Sequence, residues 1–219
     1  NELPEKYKFL VKDRDETFRL YIERKEIGQK ILKSLETRRS GFDSLGNAVE
    51  GFYLTSRNRE VGLMSQLYGG NALFSLVNRF GVDVSDTVKK QIKDTVDYVL
   101  QYLDENDGSY DLNPILEPEV NNSLFLDREN NYIGAMTWTL ALFVAARSAY
   151  RKGLCDFSED EMIRIIARIK EIIKFFVNNI IGSEESPLGW GYTNGCVEPS
   201  LFFTYSVVES FADFDDNIL

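Results

Sequence analysis

Histidine is absent from the 219 residues, and its absence excludes several kinds of catalytic site. Without histidine there is no Ser-His or Cys-His nucleophile pair, no histidine-ligated zinc and no histidine pH switch. Cysteine is nearly absent too, since the chain has only Cys155 and Cys196. Two distant thiols cannot form a four-ligand zinc site, and a secreted disulfide scaffold would contain more of them. We therefore expect two reduced thiols, no bound metal and no cofactor.

Basic residues and long apolar runs are also scarce. The chain has 25 Lys and Arg against 35 Asp and Glu, which gives a formal net charge of −10. Nucleic-acid affinity comes mainly from basic residues that neutralise phosphates. The richest apolar window, residues 133–146, is shorter than the about 20 residues of a membrane span. The first six residues, Asn-Glu-Leu-Pro-Glu-Lys, lack the basic and apolar regions of a signal peptide. We expect a cytoplasmic protein that binds neither nucleic acid nor membrane.

Three segments have the apolar spacing of amphipathic helices, at about residues 17–37, 85–103 and 158–181. Ser158 and Glu161 match a capping box, which satisfies unpaired backbone donors at a helix start. Each segment is predicted to bury one face and expose the other. The predicted buried positions of the second segment are Val88, Ile92, Val96, Val99, Leu100 and Leu103. Those of the third are Met162, Ile166, Ile169, Ile173, Phe176 and Ile180.

Three further segments are apolar on almost every side: residues 63–80, 133–150 and 199–211, the last with Pro199 at its predicted first helical position. A helix without a polar face must be enclosed by other helices. The alternation of the two types predicts inner helices surrounded by outer ones. We therefore predict a single all-α domain over residues 1–219, with at most short extended pieces.

A glycine followed closely by an aromatic residue recurs after each outer helix. The pairs are Gly41 with Phe42, Gly108 with Tyr110, and Gly189 with Trp190. Gly41 and Gly108 are 67 residues apart, and Gly108 and Gly189 are 81 apart, which is the spacing of a repeated helix pair with loop insertions. Glycine permits a positive φ at such a turn, and the aromatic ring can fold back onto the preceding outer helix. We predict three equivalent turns.

At these turns the chain resembles the prenyltransferase and squalene-cyclase repeat family. The run Gln101-Tyr-Leu-Asp-Glu-Asn-Asp-Gly-Ser-Tyr110 is similar to that family's glutamine-to-aromatic turn motif. Residues 188–192 look like a second copy without the glutamine, and Gly41-Phe42-Asp43 looks like a degenerate third. The resemblance implies an α/α toroid, whose full form has six inner and six outer helices. With three predicted inner and three predicted outer helices, this chain corresponds to about half a ring. Either it is a portion of a longer protein, or its ring closes differently, or it pairs with another subunit.

The family's chemistry transfers only in part. Its zinc-dependent prenyl transfer uses a histidine that this chain lacks. Its terpenoid cyclases use an Asp-x-Asp-Asp acid, and Asp213, Asp215 and Asp216 match those letters. In the cyclases the motif opens an inner helix, whereas here it closes one, where the helix dipole opposes negative charge. We interpret these carboxylates as a solvated segment. The alternative is a cyclase-like enzyme portion that uses them on an apolar isoprenoid.

Aromatic residues on the predicted inner helices either line an apolar cavity or pack in the core. They are Tyr68, Phe74, Trp138, Phe143, Phe202, Phe203 and Tyr205.

The function favoured by the sequence is a non-catalytic helical binding module within a larger assembly. A half ring leaves the last inner helix, residues 199–211, without its next neighbour, and large apolar patches usually mark contacts with a partner. We expect a protein partner, a further domain or a homo-oligomer there, and an apolar small molecule is compatible with this architecture. A closed aromatic pocket with a buried carboxylate would favour the enzyme. A filled core with an exposed apolar face would favour the binding module.

Overall fold

The computed structural model of the chain is mostly helical, as the periodicity predicts. It describes residues 5–37, 40–42, 48–50, 63–105, 133–183, 185–192 and 196–212. The helices in these ranges are α1 (Glu5–Thr37), α2 (Leu63–Ser75), α3 (Asp86–Glu105), α4 (Ile133–Arg151), α5 (Glu159–Asn178) and α6 (Leu201–Ala212). The strands are β1 (Ser40–Phe42), β2 (Ala48–Glu50), β3 (Ile181–Gly182) and β4 (Pro187–Gly189). The mostly helical class is confirmed, and the toroid stays a prediction.

The amphipathic helices α3 and α5 bury the face that the spacing predicts. All six predicted positions of α3 are buried. In α5, Ile165 and Ile172 are buried while the predicted Ile166 and Ile173 are half-buried, so the stripe is centred one residue earlier. The helix ends at Asn178 and not at Ile181, because Ile181 begins strand β3.

Helix α1 is longer than predicted, since it begins at Glu5 rather than near residue 17. Its first half is rich in Glu, Lys and Arg, which favour helix without an apolar stripe. The start of α5 is as predicted. The hydroxyl of Ser158 accepts a hydrogen bond from the Glu161 backbone N–H at 3.2 Å, and the Glu161 carboxylate accepts one from the Ser158 backbone N–H at 2.7 Å.

The apolar helices are α2, α4 and α6. Helix α2 continues as a π-helical turn, Leu76–Phe80, and ends at Gly81, whose φ is +63°. Helix α6 begins at Leu201, so the prediction that Pro199 is its first residue is wrong. The carbonyl of Ser200 accepts the first helical bond, from the Thr204 N–H at 2.9 Å, which places Pro199 outside the helix.

The helices form two layers. In the first layer α4 packs between α2 and α6, and in the second α3 packs on α2 while α5 packs on α4. Two hydrogen bonds from asparagine side chains show how α2 and its π-helical extension run relative to α4. Asn71 Nδ2 donates to the Trp138 carbonyl at 2.9 Å, and Asn78 Nδ2 donates to the Ala145 carbonyl at 3.3 Å. Because both partners advance by seven residues, the two helices run parallel. The apolar helices α2, α4 and α6 thus lie in the first layer, and the amphipathic helices α3 and α5 lie in the second.

Ion pairs join the second layer. They connect the α3 side with α5 and the residues just before it, and their side chains are partly exposed, so each contributes about 1 kcal/mol or less. The pairs are Lys89 with Asp156, Lys93 with Glu161, and Asp104 with Arg164 and Arg168.

Two short antiparallel hairpins follow helices α1 and α5. Strand β1 pairs with β2 after α1, and β3 pairs with β4 after α5. Gly41 and Phe42 therefore lie within a strand, with Gly41 opposite Val49, and not in a turn as predicted. Gly108 and Tyr110, the middle pair of the predicted turns, lie outside the described residues.

Candidate functional site

The third predicted turn joins α5 to α6 through Trp190. Its indole Nε1 donates to the Phe176 carbonyl in the last turn of α5 at 2.9 Å, and its ring meets the Phe176 ring edge-on. Its backbone N–H donates to the Thr204 hydroxyl on α6 at 3.0 Å. Gly189 before it has a φ of +127°. The prediction that the glycine takes a positive φ and that the aromatic folds back onto the outer helix is confirmed here.

The predicted aromatic residues divide between the core and the surface. Phe74, Phe143 and Phe203 are buried in the core. Tyr68, Phe202 and Tyr205 are exposed.

Trp138 is half-buried, and its ring packs against Tyr68 with centroids 4.6 Å apart. The acid-motif residues Asp213, Asp215 and Asp216 lie outside the described residues.

A cavity of about 360 Å³ opens on the first layer, between α2, α4 and α6. Phe74 and Trp138 line it, together with Val144 and two alanines of α4. The remaining lining is polar, which the aromatic pattern did not predict. Its uncharged polar residues include Asn71, Ser75, Asn78, Ser148, Ser206 and Ser210.

Three charged side chains also line this cavity: Arg79 at the end of the π-helical turn, Lys152 just after α4, and Glu209 on α6. All three are exposed. A cationic and anionic rim over a floor of aromatic and amide groups suits a small polar molecule better than a hydrocarbon.

Helix α6 has an apolar face that is turned to solvent. Leu201, Phe202, Tyr205 and Val208 are exposed by 91%, 61%, 64% and 56%. Positions 201, 205 and 208 follow helical spacing and form one stripe. The opposite side of the helix, with Phe203, Val207 and Ser210, is buried. It packs against α4 and against strand β4, which follows α5. We call the four exposed residues the α6 stripe. The exposed apolar surface that the sequence predicts within residues 199–211 is present.

Strongly shifted carboxyl and thiol groups lie away from the cavity. The hydrogen bond from Lys93 and those at Ser158 lower the pKa of Glu161 to about 2. Burial raises the pKa of the Cys155 thiol to about 12, so this sulfur is not an activated nucleophile. Burial also raises the pKa of Asp97, against the opposing effect of Lys93. Glu161 and Asp97 lie where α3 and α5 pack, the Cys155 thiol contacts the Ala146 carbonyl of α4, and none of the three lines the cavity.

Within the described ranges, no three Cys, Asp or Glu side chains group as metal ligands. None of the described helices is long and apolar enough to cross a membrane. Comparisons with protein-family models, curated proteins and solved structures found no match. The resemblance to the prenyltransferase and squalene-cyclase repeats therefore stays a prediction based on the turn residues alone.

Proposed function

We propose that the chain is a non-catalytic helical binding module that docks a partner through the α6 stripe. The observation that supports this most is the contrast between the middle helix of the first layer, α4, and the helix at its edge, α6. Helix α4 has the same apolar character as α6 and is enclosed on both sides, whereas α6 exposes four large apolar side chains. Soluble proteins rarely expose such a contiguous patch unless something binds it.

A second copy of the chain is the partner that the isolated protein offers. The α6 stripe has no charged member, so two copies can oppose it about a two-fold axis without placing like charges together. Phe202 and Tyr205 alone expose roughly 200 Å². Burying that area contributes about 5 kcal/mol per copy, which is comparable to the cost of association. We expect a weak dimer whose population depends on concentration.

The cyclase alternative has less support. Acid catalysis on an isoprenoid needs a carboxyl that is buried and protonated inside an apolar cavity. The cavity between α2, α4 and α6 instead has amides, hydroxyls and exposed charges in its lining, and Glu209, the carboxylate that the described residues contribute to it, is exposed.

Sedimentation velocity over a wide concentration range tests the proposal. We expect a monomer–dimer equilibrium in the unaltered chain and a monomer in Tyr205→Glu, because a charge at the centre of the stripe cannot be buried unpaired. Ile163→Glu is the matched control: Ile163 is 58% exposed on α5, away from the stripe, and its substitution should leave the dimer intact. A chain that is monomeric at all concentrations, or a dimer that survives Tyr205→Glu, would refute the proposal.

A further inference from the structure

The cavity between α2, α4 and α6 is a second surface, independent of the α6 stripe. Most of the hydrogen-bond donors of its two asparagine side chains are already in use. The Asn71 amide nitrogen donates to the carbonyls of Leu67 and Trp138, both at 2.9 Å, and that of Asn78 donates to the Ala145 carbonyl with one of its two hydrogens. Asn71 therefore has only its carbonyl oxygen left for a ligand. The Asn78 Oδ1 is buried and has no hydrogen-bond donor within the described part of the chain.

Three of the hydroxyls that line the cavity also donate their hydrogens within the protein. Thr137 donates to the Ile133 carbonyl at 2.8 Å, Ser206 donates to Phe202 at 2.9 Å, and Ser210 donates to Val207 at 2.7 Å. Each hydroxyl has one hydrogen, so its oxygen can now only accept. The wall is therefore rich in acceptors, and the ligand that suits it carries several hydrogen-bond donors.

The charged side chains narrow the chemistry further. Glu209 supplies a carboxylate and Lys152 supplies an ammonium, and within the described ranges neither has a partner of opposite charge. A ligand with a single charge would leave one of these two groups unmatched. A ligand with one charge of each sign can pair with both.

We propose that this cavity binds a small zwitterion with one primary ammonium and one carboxylate, which is the chemistry of a free α-amino acid. The ligand's ammonium has three N–H donors for the Glu209 carboxylate and for the acceptor oxygens of the cavity wall. The ligand's carboxylate pairs with Lys152, which lies on the rim of the cavity together with Arg79. The volume of about 360 Å³ is at the lower end of small-molecule pockets, which suits a ligand of this size. Phe74 and Trp138 offer an apolar floor for its side chain.

Tryptophan fluorescence gives a local readout, because the chain has two tryptophans and only Trp138 lines this cavity. The Trp190→Phe variant, which retains Trp138 alone, is titrated with L-serine, L-leucine and L-phenylalanine. Calorimetric titration of the unaltered chain repeats the binding measurement with Trp190 in place, so that a disturbance of its turn in the variant cannot affect the result. We expect saturable binding of at least one of the three. The analogue of that ligand without the ammonium, and the one without the carboxylate, should each bind at least tenfold more weakly.

Charge variants locate the site. Glu209→Gln and Lys152→Gln should each weaken binding at least tenfold, whereas Glu171→Gln and Lys170→Gln, which alter exposed residues of α5, should not. No saturable binding for any of the three amino acids overturns the proposal. Equal binding of a singly charged analogue or of glycerol, or unchanged binding in Glu209→Gln and Lys152→Gln, overturns it as well.

Discussion

Replacing Gly189 with alanine tests the turn that holds α5 against α6. The φ of +127° is unfavourable for any residue with a Cβ and costs about 1–3 kcal/mol. The new Cβ would also clash with the Thr204 Oγ1 and lie 2.8 Å from its Cγ2, so the turn must shift away from α6. That shift weakens the bond between the Trp190 N–H and Thr204. We expect a total loss of about 3 kcal/mol in the free energy of unfolding.

Gly153→Ala is the matched control, because Gly153 also has a positive φ, +67°, but no described atom lies within 4 Å of the position that its new methyl group would take. It should cost only the backbone strain, about 1 kcal/mol. For a chain of this length the two variants should then differ in Tm by roughly 4–8 °C, measured by circular dichroism. The double variant with Thr204→Ala should recover part of the loss. Equal losses for Gly189→Ala and Gly153→Ala would refute the role of the contact with α6.

Three further predictions concern the helix layers. Asn71→Leu removes two hydrogen bonds and leaves an α4 carbonyl without its amide donor, so urea unfolding should show a loss of about 1–3 kcal/mol, and an unchanged midpoint would contradict this. Because the hydrogen bonds from Lys93 and Ser158 lower the pKa of Glu161 from 4.5 to about 2, the stabilisation that they provide is complete above pH 4.5 and is lost as the pH falls towards 2. Glu161→Gln should remove that part of the pH dependence, and an identical pH profile would count against the pair. With Cys196→Ser, thiol labelling of the native chain should be slow, because Cys155 is 5% exposed and its pKa is raised to about 12; rapid labelling would disprove this.

The helices could be predicted where the spacing of apolar residues indicates which face is buried. In α3 all six predicted positions are buried, because its apolar residues recur at helical spacing and so mark the face that packs. The boundaries were less predictable. The start of α6 depends on the bonds that Ser200 and Thr204 make with Trp190 across the chain, and nothing in the local pattern near Pro199 encodes them.

The candidate site depends on which helices become neighbours. For that reason, the polar and charged lining of its cavity could not be predicted from the sequence. Helices α4 and α6 look alike in sequence, yet α6 exposes its stripe because no described helix packs on that side. Asn71 and Asn78 were the available signal for the cavity: two amides seven residues apart in an apolar helix lie on one face and need partners. The pattern could not say that α4 supplies them, or that Glu209 of α6 lies nearby.

The distance between two α6 helices tests the docking proposal most directly. A nitroxide is attached at Glu209→Cys, beside the α6 stripe, in a chain with Cys196→Ser, and the spin–spin distance is measured by pulsed electron paramagnetic resonance at high protein concentration. If two copies oppose their stripes, the helix axes lie about 8–10 Å apart and the distribution is dominated by short distances. The Tyr205→Glu variant should lose that signal. A distribution without a short component in the unaltered stripe, at concentrations where the chain is dimeric, would contradict the account.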